Sequence, residues 1–289
     1  MRADFAAFIL THGRPNNVKT HATLRKHGYT GRIVVVVDNE DAALPEYRAN
    51  YGDEVVVFDK PAEAKTTDRG DNFDSLATVL FARNASYKIA KQLGLKYFIQ
   101  LDDDYGAFEY RYSDAVRYRA CPIASLDAVF GSMVEFLAAT PAACICMTQG
   151  GDFLGGKDGS NANCKAIRLL RKAMNSFLCD ADRPIDFLGR LNDDVNTYVV
   201  RGSTGQLMLS TTQVSLVQTQ TQASAGGLTA AYLEAGTYVK SFYTVMMQPS
   251  SVKISAMGDN HMRIHHSVTW AKTVPMILRE SVKGRAALE

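Results

Sequence analysis

Short apolar runs alternate with longer amphipathic segments in the first half of the chain, and this alternation limits the fold more than any other feature. The runs lie at Phe5–Leu10, Arg32–Val37, Glu54–Phe58, Tyr97–Leu101 and Ala142–Met147. Apolar, β-branched runs without polar alternation are typical of parallel strands buried on both faces. Strand–helix–strand units of this kind join into one sheet through right-handed crossovers. We therefore predict an α/β fold with a Rossmann-like, mostly parallel sheet flanked by helices.

Helices are predicted where apolar residues recur at helical spacing between these runs. One lies within His12–His27, a second covers Phe73–Leu93, and a third covers Ser125–Ala139. Gly28 and Gly94 follow the first two, and glycine at that position is typical of a helix C-terminus. The alternation of strand and helix thus continues to about residue 150.

The second half has a different character, and we expect a mixed arrangement of helices and strands there. Gln149–Asn163 is rich in Gly, Asp, Asn and Ser, which is typical of a loop. No segment reads as a linker, so residues 1–289 are predicted to form one domain with two halves, 1–150 and 151–289. The elements predicted in the second half are a helix over Cys164–Cys179 and strands over Gln206–Ser210, Phe242–Gln248 and Arg263–Trp270.

Composition excludes several classes of protein. The 289 residues are 46% hydrophobic and 21% charged, values that rule out a disordered tail, a collagen-like fibre and a coiled coil. No apolar run approaches the roughly 18 residues that cross a bilayer, so no membrane segment is expected. Five cysteines without a CxxC motif favour reduced thiols and a cytoplasmic location.

Three adjacent carboxylates, Asp102, Asp103 and Asp104, follow the fourth predicted strand. Ligands of open α/β sheets bind beyond the carboxyl ends of strands, and two other predicted strands end at Asp38 and Asp59. Mg²⁺ and Mn²⁺ prefer carboxylate and diphosphate oxygens. The triplet is therefore interpreted either as a metal-bridged nucleotide diphosphate site or as a solvated turn.

Two further groups of residues have both a chemical and a structural interpretation. His265 and His266 lie in a predicted strand on opposite faces, where one imidazole suits Mn²⁺ or both are ordinary surface or core histidines. Asp193 and Asp194 are either a general base and its neighbour or the acidic first turn of a helix. The sequence leaves both alternatives open.

The segment Lys157–Lys172 is strongly basic, with five cations against one acid, Asp158. On a helix, Lys165, Arg168 and Lys172 share one face. That face is interpreted either as a phosphate-contacting surface or as a solvated helix surface.

Taken in order, these features resemble a GT-A glycosyltransferase, and more narrowly the phage TET-associated glycosyltransferase family. The resemblance runs from about residue 8 to 280. The stretches that carry it are Thr11–Pro15, Val37–Asn39, Ala82–Asn84, Asp102–Asp104, Arg171–Phe177, Arg190–Tyr198, Gly226–Thr229 and His265–Trp270.

The resemblance implies a GT-A-like domain whose first half binds a nucleotide-sugar and whose second half binds the acceptor. The donor would be a nucleoside-diphosphate sugar, most simply a UDP-sugar, and the cofactor Mn²⁺ or Mg²⁺. The acceptor would be the hydroxymethyl group of 5-hydroxymethylcytosine or 5-hydroxymethyluracil in phage DNA, modified in the host cytoplasm.

The resemblance also assigns residues by position. Asp194 would be the catalytic base with Asp193 beside it, although inverting GT-A enzymes more often have Glu-Asp at this pair. The metal ligands would be Asp102 and Asp104 with His265 or His266. The nucleotide-sugar site would comprise Thr11, His12, Gly13, Arg14, Asp38, Asn39, Arg83, Asp102, Asp103 and Lys172.

Three alternatives remain at this stage. The first is a GT-A enzyme with a protein, lipid-carrier or glycan acceptor, which an assay comparing those acceptors with modified DNA would distinguish. The second is a nucleotide-sugar or DNA binding module without turnover, and hydrolysis of the donor would count against it. The third is a nucleotidyltransferase, which would bind a nucleoside triphosphate in preference to a nucleoside-diphosphate sugar. The formal charge of +2 disfavours a protein whose main work is to hold DNA tightly.

Overall fold

A ten-stranded mixed sheet forms the centre of the molecule. The computed structural model describes residues 1–71, 74–113, 118–149, 167–169, 173, 175–218, 239–257 and 262–280. In chain order the strands are β1 (Phe5–Leu10), β2 (Arg32–Asp38), β3 (Val55–Phe58), β4 (Tyr97–Asp102), β5 (Tyr105–Ser113), β6 (Tyr118–Pro122), β7 (Cys144–Gln149), β8 (Ile167–Arg168), β9 (Ser176–Asp180), β10 (Met208–Gln218), β11 (Val252–Met257) and β12 (Arg263–Val268).

Helices occupy the connections between these strands. They are α1 (Lys19–Lys26), α2 (Leu44–Tyr51), α3 (Lys60–Ala64), α4 (Leu80–Gln92), α5 (Leu126–Ala138), α6 (Asp193–Ser203) and α7 (Val239–Met247), with 3₁₀ turns at Gly52–Glu54 and Trp270–Lys272. Within the described residues, no helix combines the length and apolar character needed to cross a membrane.

The sheet order is β3-β2-β1-β4-β9-β7-β10-β5-β6, with β8 beside β10. The first four strands in this order are parallel, and β9 runs antiparallel between β4 and β7. The predicted α/β fold with a mostly parallel sheet flanked by helices is confirmed. Strands from both halves of the chain share the sheet, while the assignment of residues 1–289 to one domain stays a prediction.

Both faces of the sheet are covered, which explains the continuous apolar runs. In β1, Phe5, Ala7 and Ile9 belong to one hydrophobic cluster, whereas Ala6 and Phe8 belong to the cluster on the opposite face. Because successive side chains of a strand point to opposite faces, a strand buried on both sides has no polar position.

The helix predicted over Cys164–Cys179 is wrong in the described part of that segment. Ile167–Arg168 and Ser176–Asp180 are strands, and β9 is fully buried between β4 and β7. The run Ser176-Phe177-Leu178-Cys179 satisfies its backbone hydrogen bonds on both edges in the sheet. This tertiary pairing outweighs the helical spacing of its apolar residues.

Three other predictions about elements also need correction. The strand predicted over Phe242–Gln248 is the helix α7, because its buried Tyr243 and Thr244 pack against the α6 region rather than in a sheet. The helix predicted from residue 73 begins at Leu80. The strand predicted over Gln206–Ser210 extends to Gln218, through the start of a polar, Gln-rich segment.

The turn after α1 requires a glycine at position 28 for steric reasons. The φ of Gly28 is +76°, and a Cβ there would collide with the carbonyl oxygen of Ala124. Gly94 has a similar φ of +69° but open space around it. We expect Gly94→Ala to cost about 1 kcal/mol of unfolding free energy from backbone strain, and Gly28→Ala about 2 kcal/mol or more, measured by urea unfolding. Equal losses in the two variants would contradict the steric argument.

Candidate functional site

The carboxyl ends of β1, β2 and β4 border a cavity of about 660 Å³. These ends lie at one edge of the sheet, because Leu10 pairs with both Val36 and Asp102. Seven of the residues predicted from the sequence line this cavity: Thr11, His12, Arg14, Asp38, Asp102, Asp103 and Asp104. The remaining lining residues are Leu10, Phe58, Lys60, Ser75, Leu76, Ala77, Thr78, Val79, Ala82 and Gln218.

Asp103 holds the loop that follows β1. Its Oδ2 accepts a hydrogen bond from Thr11 Oγ1 at 2.7 Å, and its Oδ1 pairs with Arg14 Nη1 at 3.1 Å. The hydroxyl of Tyr47 accepts a hydrogen bond from the Arg14 backbone N–H at 2.8 Å. The middle carboxylate of the triplet therefore orders one wall of the cavity.

The same loop contains Gly13, whose backbone N–H donates to Asp41 Oδ2 at 2.7 Å. On the neighbouring loop, Asn39 Oδ1 accepts the backbone N–H of Lys60 at 3.0 Å. Neither residue is among those that line the cavity. Their contacts shape the two loops that do.

Asp38, at the end of β2, lies between His12 and Lys60. His12 Nδ1 is 2.6 Å from Asp38 Oδ2 and 3.4 Å from Asp41 Oδ2, and Lys60 Nζ is 3.5 Å from Asp38 Oδ1. The hydrogen bond to Asp38 raises the pKa of His12. Burial alone would raise the pKa of Asp38, but the hydrogen bond and charge of His12 outweigh it and lower that pKa.

The His12–Asp38 pair predicts a pH window of stabilisation. A raised His12 pKa gives stability that is complete below its ordinary value of 6.5 and is lost as pH rises through the raised value. A lowered Asp38 pKa gives stability that is present above 3.8 and is lost at lower pH. We expect His12→Gln to lower Tm most between these two values, and progressively less at alkaline pH. A Tm difference that stays constant from acid to alkaline pH would contradict the pairing.

Asp102 is joined to the second half of the chain by a buried arginine. Arg83 Nη2 lies 3.2 Å from Asp102 Oδ1, and Arg83 Nε lies 2.7 Å from Asp193 Oδ2. Arg83 is only 1% exposed and its guanidinium also packs over the rings of Phe177 and Phe187. Arg83 was predicted to line the nucleotide-sugar site, but it is not among the residues that line this cavity.

Burial raises the pKa of Asp102 to about 7, against the opposing effect of Arg83. The neighbouring charges of Asp104 and Asp193 act in the same direction as burial. The Asp102 side chain still keeps 21% of its surface exposed. Burial is therefore the main cause of the raised pKa, and a cation bound beside this carboxylate would favour its charged form.

Asp193 and Asp194 form the first turn of α6, where the helix dipole favours negative charge. The turn is entered through Asn192 in the left-handed region, with φ of +62°. Asn192 Nδ2 donates to Thr244 Oγ1 at 2.6 Å, and that hydroxyl donates to Asn196 Oδ1 at 2.7 Å. The structural interpretation of this acidic pair, a helix start, is thus correct. Neither residue is among those that line the cavity, and the catalytic role stays a prediction.

The wall formed by Ser75–Val79 was missed by sequence reasoning. It is fixed to the second half by Thr78 Oγ1, which donates to the carbonyl of Arg190 at 2.8 Å. Arg190 Nε in turn pairs with Asp71 Oδ2 at 2.9 Å, and Tyr243 of α7 also hydrogen-bonds Asp71. Asp71 and Arg190 are 119 positions apart, and no local pattern in the sequence links them.

The late histidines lie on β12, in a separate two-stranded sheet with β11. Alternation predicts opposite faces for His265 and His266, yet their ring centroids are 4.3 Å apart. Neither lines the cavity. Across the described ranges, no three His, Cys, Asp or Glu side chains converge to hold a metal ion. A histidine ligand to the metal stays a prediction.

Lys172, predicted to contact the donor, lies outside the described residues. So do Lys157, Lys165 and Arg171 of the basic segment, and Gly226. The four cysteines that are described are free thiols, and Cys144 and Cys146 are buried in β7 as expected.

Comparison with protein families identifies one match. Residues 5–227 match the model of the TET-Associated Glycosyltransferase family, and this confirms the predicted resemblance. Comparison with curated protein sequences gives no match.

Several solved structures are similar to this one. They include the mannosyltransferase PcManGT from Pyrobaculum calidifontis in complex with GDP-Man and Mn²⁺, with 13% identity and a TM-score of 0.46 over 77% of this chain and 59% of that chain. S. aureus TarS 1-349 in complex with UDP-GlcNAc has 10% identity and a TM-score of 0.45 over 84% of this chain and 66% of that chain. The chain thus spans less than two thirds of either structure.

A third similar structure is closer in length. It is glucosyl-3-phosphoglycerate synthase from Mycobacterium tuberculosis in complex with Mn²⁺, uridine diphosphate and phosphoglyceric acid. The identity is 8% and the TM-score 0.45, over 97% of this chain and 90% of that chain.

Proposed function

The chain belongs to the TET-associated glycosyltransferase family, and from that premise we propose that it transfers a sugar from a nucleoside diphosphate to a hydroxymethylated pyrimidine in DNA. The acceptor is 5-hydroxymethylcytosine or 5-hydroxymethyluracil of phage DNA, and the donor a UDP-sugar. The observation that carries the proposal is the shared cavity at the carboxyl ends of β1, β2 and β4, which combines an acidic triplet with an ordered nucleotide-sized pocket.

We propose that the nucleotide-sugar donor binds in this cavity. Asp38, Lys60 and the Thr11–Arg14 loop contact the nucleoside and diphosphate, while Ser75–Val79 forms the opposite wall. A volume of about 660 Å³ suits a ligand of nucleotide-sugar size. Arg14 and Lys60 are the cations among the lining residues, and they offset charge on the diphosphate.

The donor set at the end of β4 fits a divalent cation. Mg²⁺ and Mn²⁺ are typically held by one or two carboxylates together with substrate phosphates, rather than by a cage made only of protein ligands. Asp102 and Asp104 would supply those carboxylates, since Asp103 is engaged with Thr11 and Arg14. When bound, the metal neutralises charge that develops on the leaving diphosphate.

Asp194 is the proposed catalytic base and accepts the proton of the acceptor hydroxyl. Its neighbour Asp193 is paired with the buried Arg83, which favours a positioning role instead. Arg83 links Asp102 on the donor side to Asp193 at the start of α6, so the two proposed centres share one ion-pair network.

The proposed acceptor is tested by release of the nucleoside diphosphate from the donor. The enzyme is incubated with Mn²⁺ and UDP- or GDP-sugars, with either hydroxymethylated duplex DNA or unmodified DNA of the same sequence. We expect release of the diphosphate to increase with the hydroxymethylated duplex alone. Equal release with the two duplexes would contradict the proposed acceptor.

A further inference from the structure

The strands β11 and β12 form an antiparallel ribbon that stands apart from the central sheet. At its base, Val252 is 1% exposed and pairs with Val268, and both contact the hydrophobic core. One position further along, Lys253 and Ile254 are both exposed. Because successive side chains point to opposite faces, each face of the ribbon has an exposed residue just beyond its base.

A two-stranded ribbon in water is only marginally stable on its own. This one also exposes Ile254 and Ile264, at 38% and 40% of their surfaces. The neighbouring helix α7 exposes Phe242 and Met246. Exposed apolar residues on neighbouring elements indicate a site of interaction.

The net charge of this part of the sequence favours one class of partner. From Val239 to Glu289 the sequence has seven Lys and Arg residues against three Asp and Glu, whereas residues 1–238 have 25 against 27. The near-zero total therefore conceals a basic C-terminal region. A second copy of the chain bound here in a symmetric contact would bring two net-positive segments together, which is unfavourable. A polyanion is complementary to it.

We propose that the β11–β12 ribbon enters the major groove of the acceptor DNA. This rests on the proposed function. The major groove, about 12 Å wide, admits a two-stranded β-ribbon, and it is also where a 5-hydroxymethyl group points. Phosphate contacts from lysine and arginine hold the duplex, and the exposed isoleucines meet the apolar edges of bases.

The packing around α7 connects this ribbon to the proposed catalytic base. α7 lies beside both strands of the ribbon and beside α6. Its Thr244 is hydrogen-bonded to Asn192 and Asn196, which flank Asp194 at the start of α6. A duplex held on the ribbon is thus placed next to the element that presents the base.

The test uses a charge series at Ser267, an exposed residue that pairs with Lys253 across the ribbon. Binding of a fluorescent duplex containing 5-hydroxymethylcytosine is measured by anisotropy, without donor, over a range of salt concentrations. We expect Ser267→Glu to weaken Kd about 5- to 10-fold. Ser267→Lys should tighten Kd and steepen the salt dependence by about one unit of slope. A damaged fold would not give tighter binding.

The same two charges at Gln92 provide the matched control. Gln92 is exposed at the C-terminal end of α4. From there the chain continues into the start of β4, so Gln92 lies toward the sheet edge opposite the cavity. Its variants should bind DNA like the native chain. Ser267 variants that also bind like the native chain would overturn the inference. So would a dimer in sedimentation equilibrium that Ser267→Glu dissociates, because the ribbon would then be a self-association surface.

The DNA-binding test of the ribbon and the test of sugar transfer can succeed or fail independently. Anisotropy reports DNA binding whether or not a sugar is transferred, and nucleoside analysis reports transfer. Charge-dependent binding at Ser267 without sugar transfer would refute the enzymatic proposal and support the ribbon as a DNA contact.

Discussion

Asp102→Asn is expected to lower the rate of sugar transfer by about 1,000-fold while leaving the chain folded. Asp102 ends β4 at the cavity, and its carboxylate is one of the two proposed to hold the metal and the diphosphate. Asparagine preserves the shape of the side chain but removes its charge. Transfer is measured as glycosylated nucleoside formed under saturating donor, and folding by circular dichroism and Tm.

The matched control for this variant is Asp182→Asn, which makes the same change at an exposed residue away from the cavity lining. Asp104→Asn should resemble Asp102→Asn, because both carboxylates are proposed ligands. Near-native transfer by both cavity variants would remove the basis for a metal–diphosphate site at β4.

Arg83→Met is expected to lower the free energy of unfolding by about 4 kcal/mol and to abolish measurable transfer. The guanidinium is buried between two carboxylates, Asp102 and Asp193. Removing it leaves both without their shared cation, and an uncompensated buried charge is far more costly than the loss of an exposed pair. Urea unfolding measures this loss directly.

Two variants separate the role of charge from loss of packing. Arg25→Met removes an arginine that is 40% exposed and 3.5 Å from Glu54, and should cost less than about 1 kcal/mol. Adding Asp193→Asn to Arg83→Met should restore part of the stability, because one unpaired charge disappears, without restoring transfer. A double variant no more stable than Arg83→Met would show that the network does not act through charge.

The parallel part of the sheet was predictable because burial on both faces leaves a strong local pattern. β1 is found at its predicted limits, and β2, β3 and β4 differ by one residue at an end. Seven predicted site residues meet for the same reason, since parallel strands bring their carboxyl ends to one edge. The strand pattern indicated the acidic residues Asp38 and Asp102 at this edge, whereas Thr11, His12 and Arg14 were assigned through the family resemblance.

Other features depend on contacts between distant parts of the chain. The run Phe242–Gln248 has β-branched and aromatic residues typical of a strand, but packing against α6 makes it a helix. The pairing of Arg83 with Asp193 spans 110 positions. No local spacing links these residues. The family resemblance alone assigned Arg83 to the nucleotide-sugar site, and the structure shows it buried between Asp193 and Asp102, which lines the cavity.

The most direct test of the central claim is mass spectrometry of nucleosides after the enzyme has acted on hydroxymethylated duplex DNA with Mn²⁺ and individual nucleotide-sugars. Loss of the 5-hydroxymethylpyrimidine nucleoside should be matched by a new nucleoside heavier by one sugar residue, with the native enzyme and not with Asp102→Asn. An unchanged nucleoside profile with every donor, while a protein or glycan acceptor becomes labelled by the same enzyme, would contradict the account.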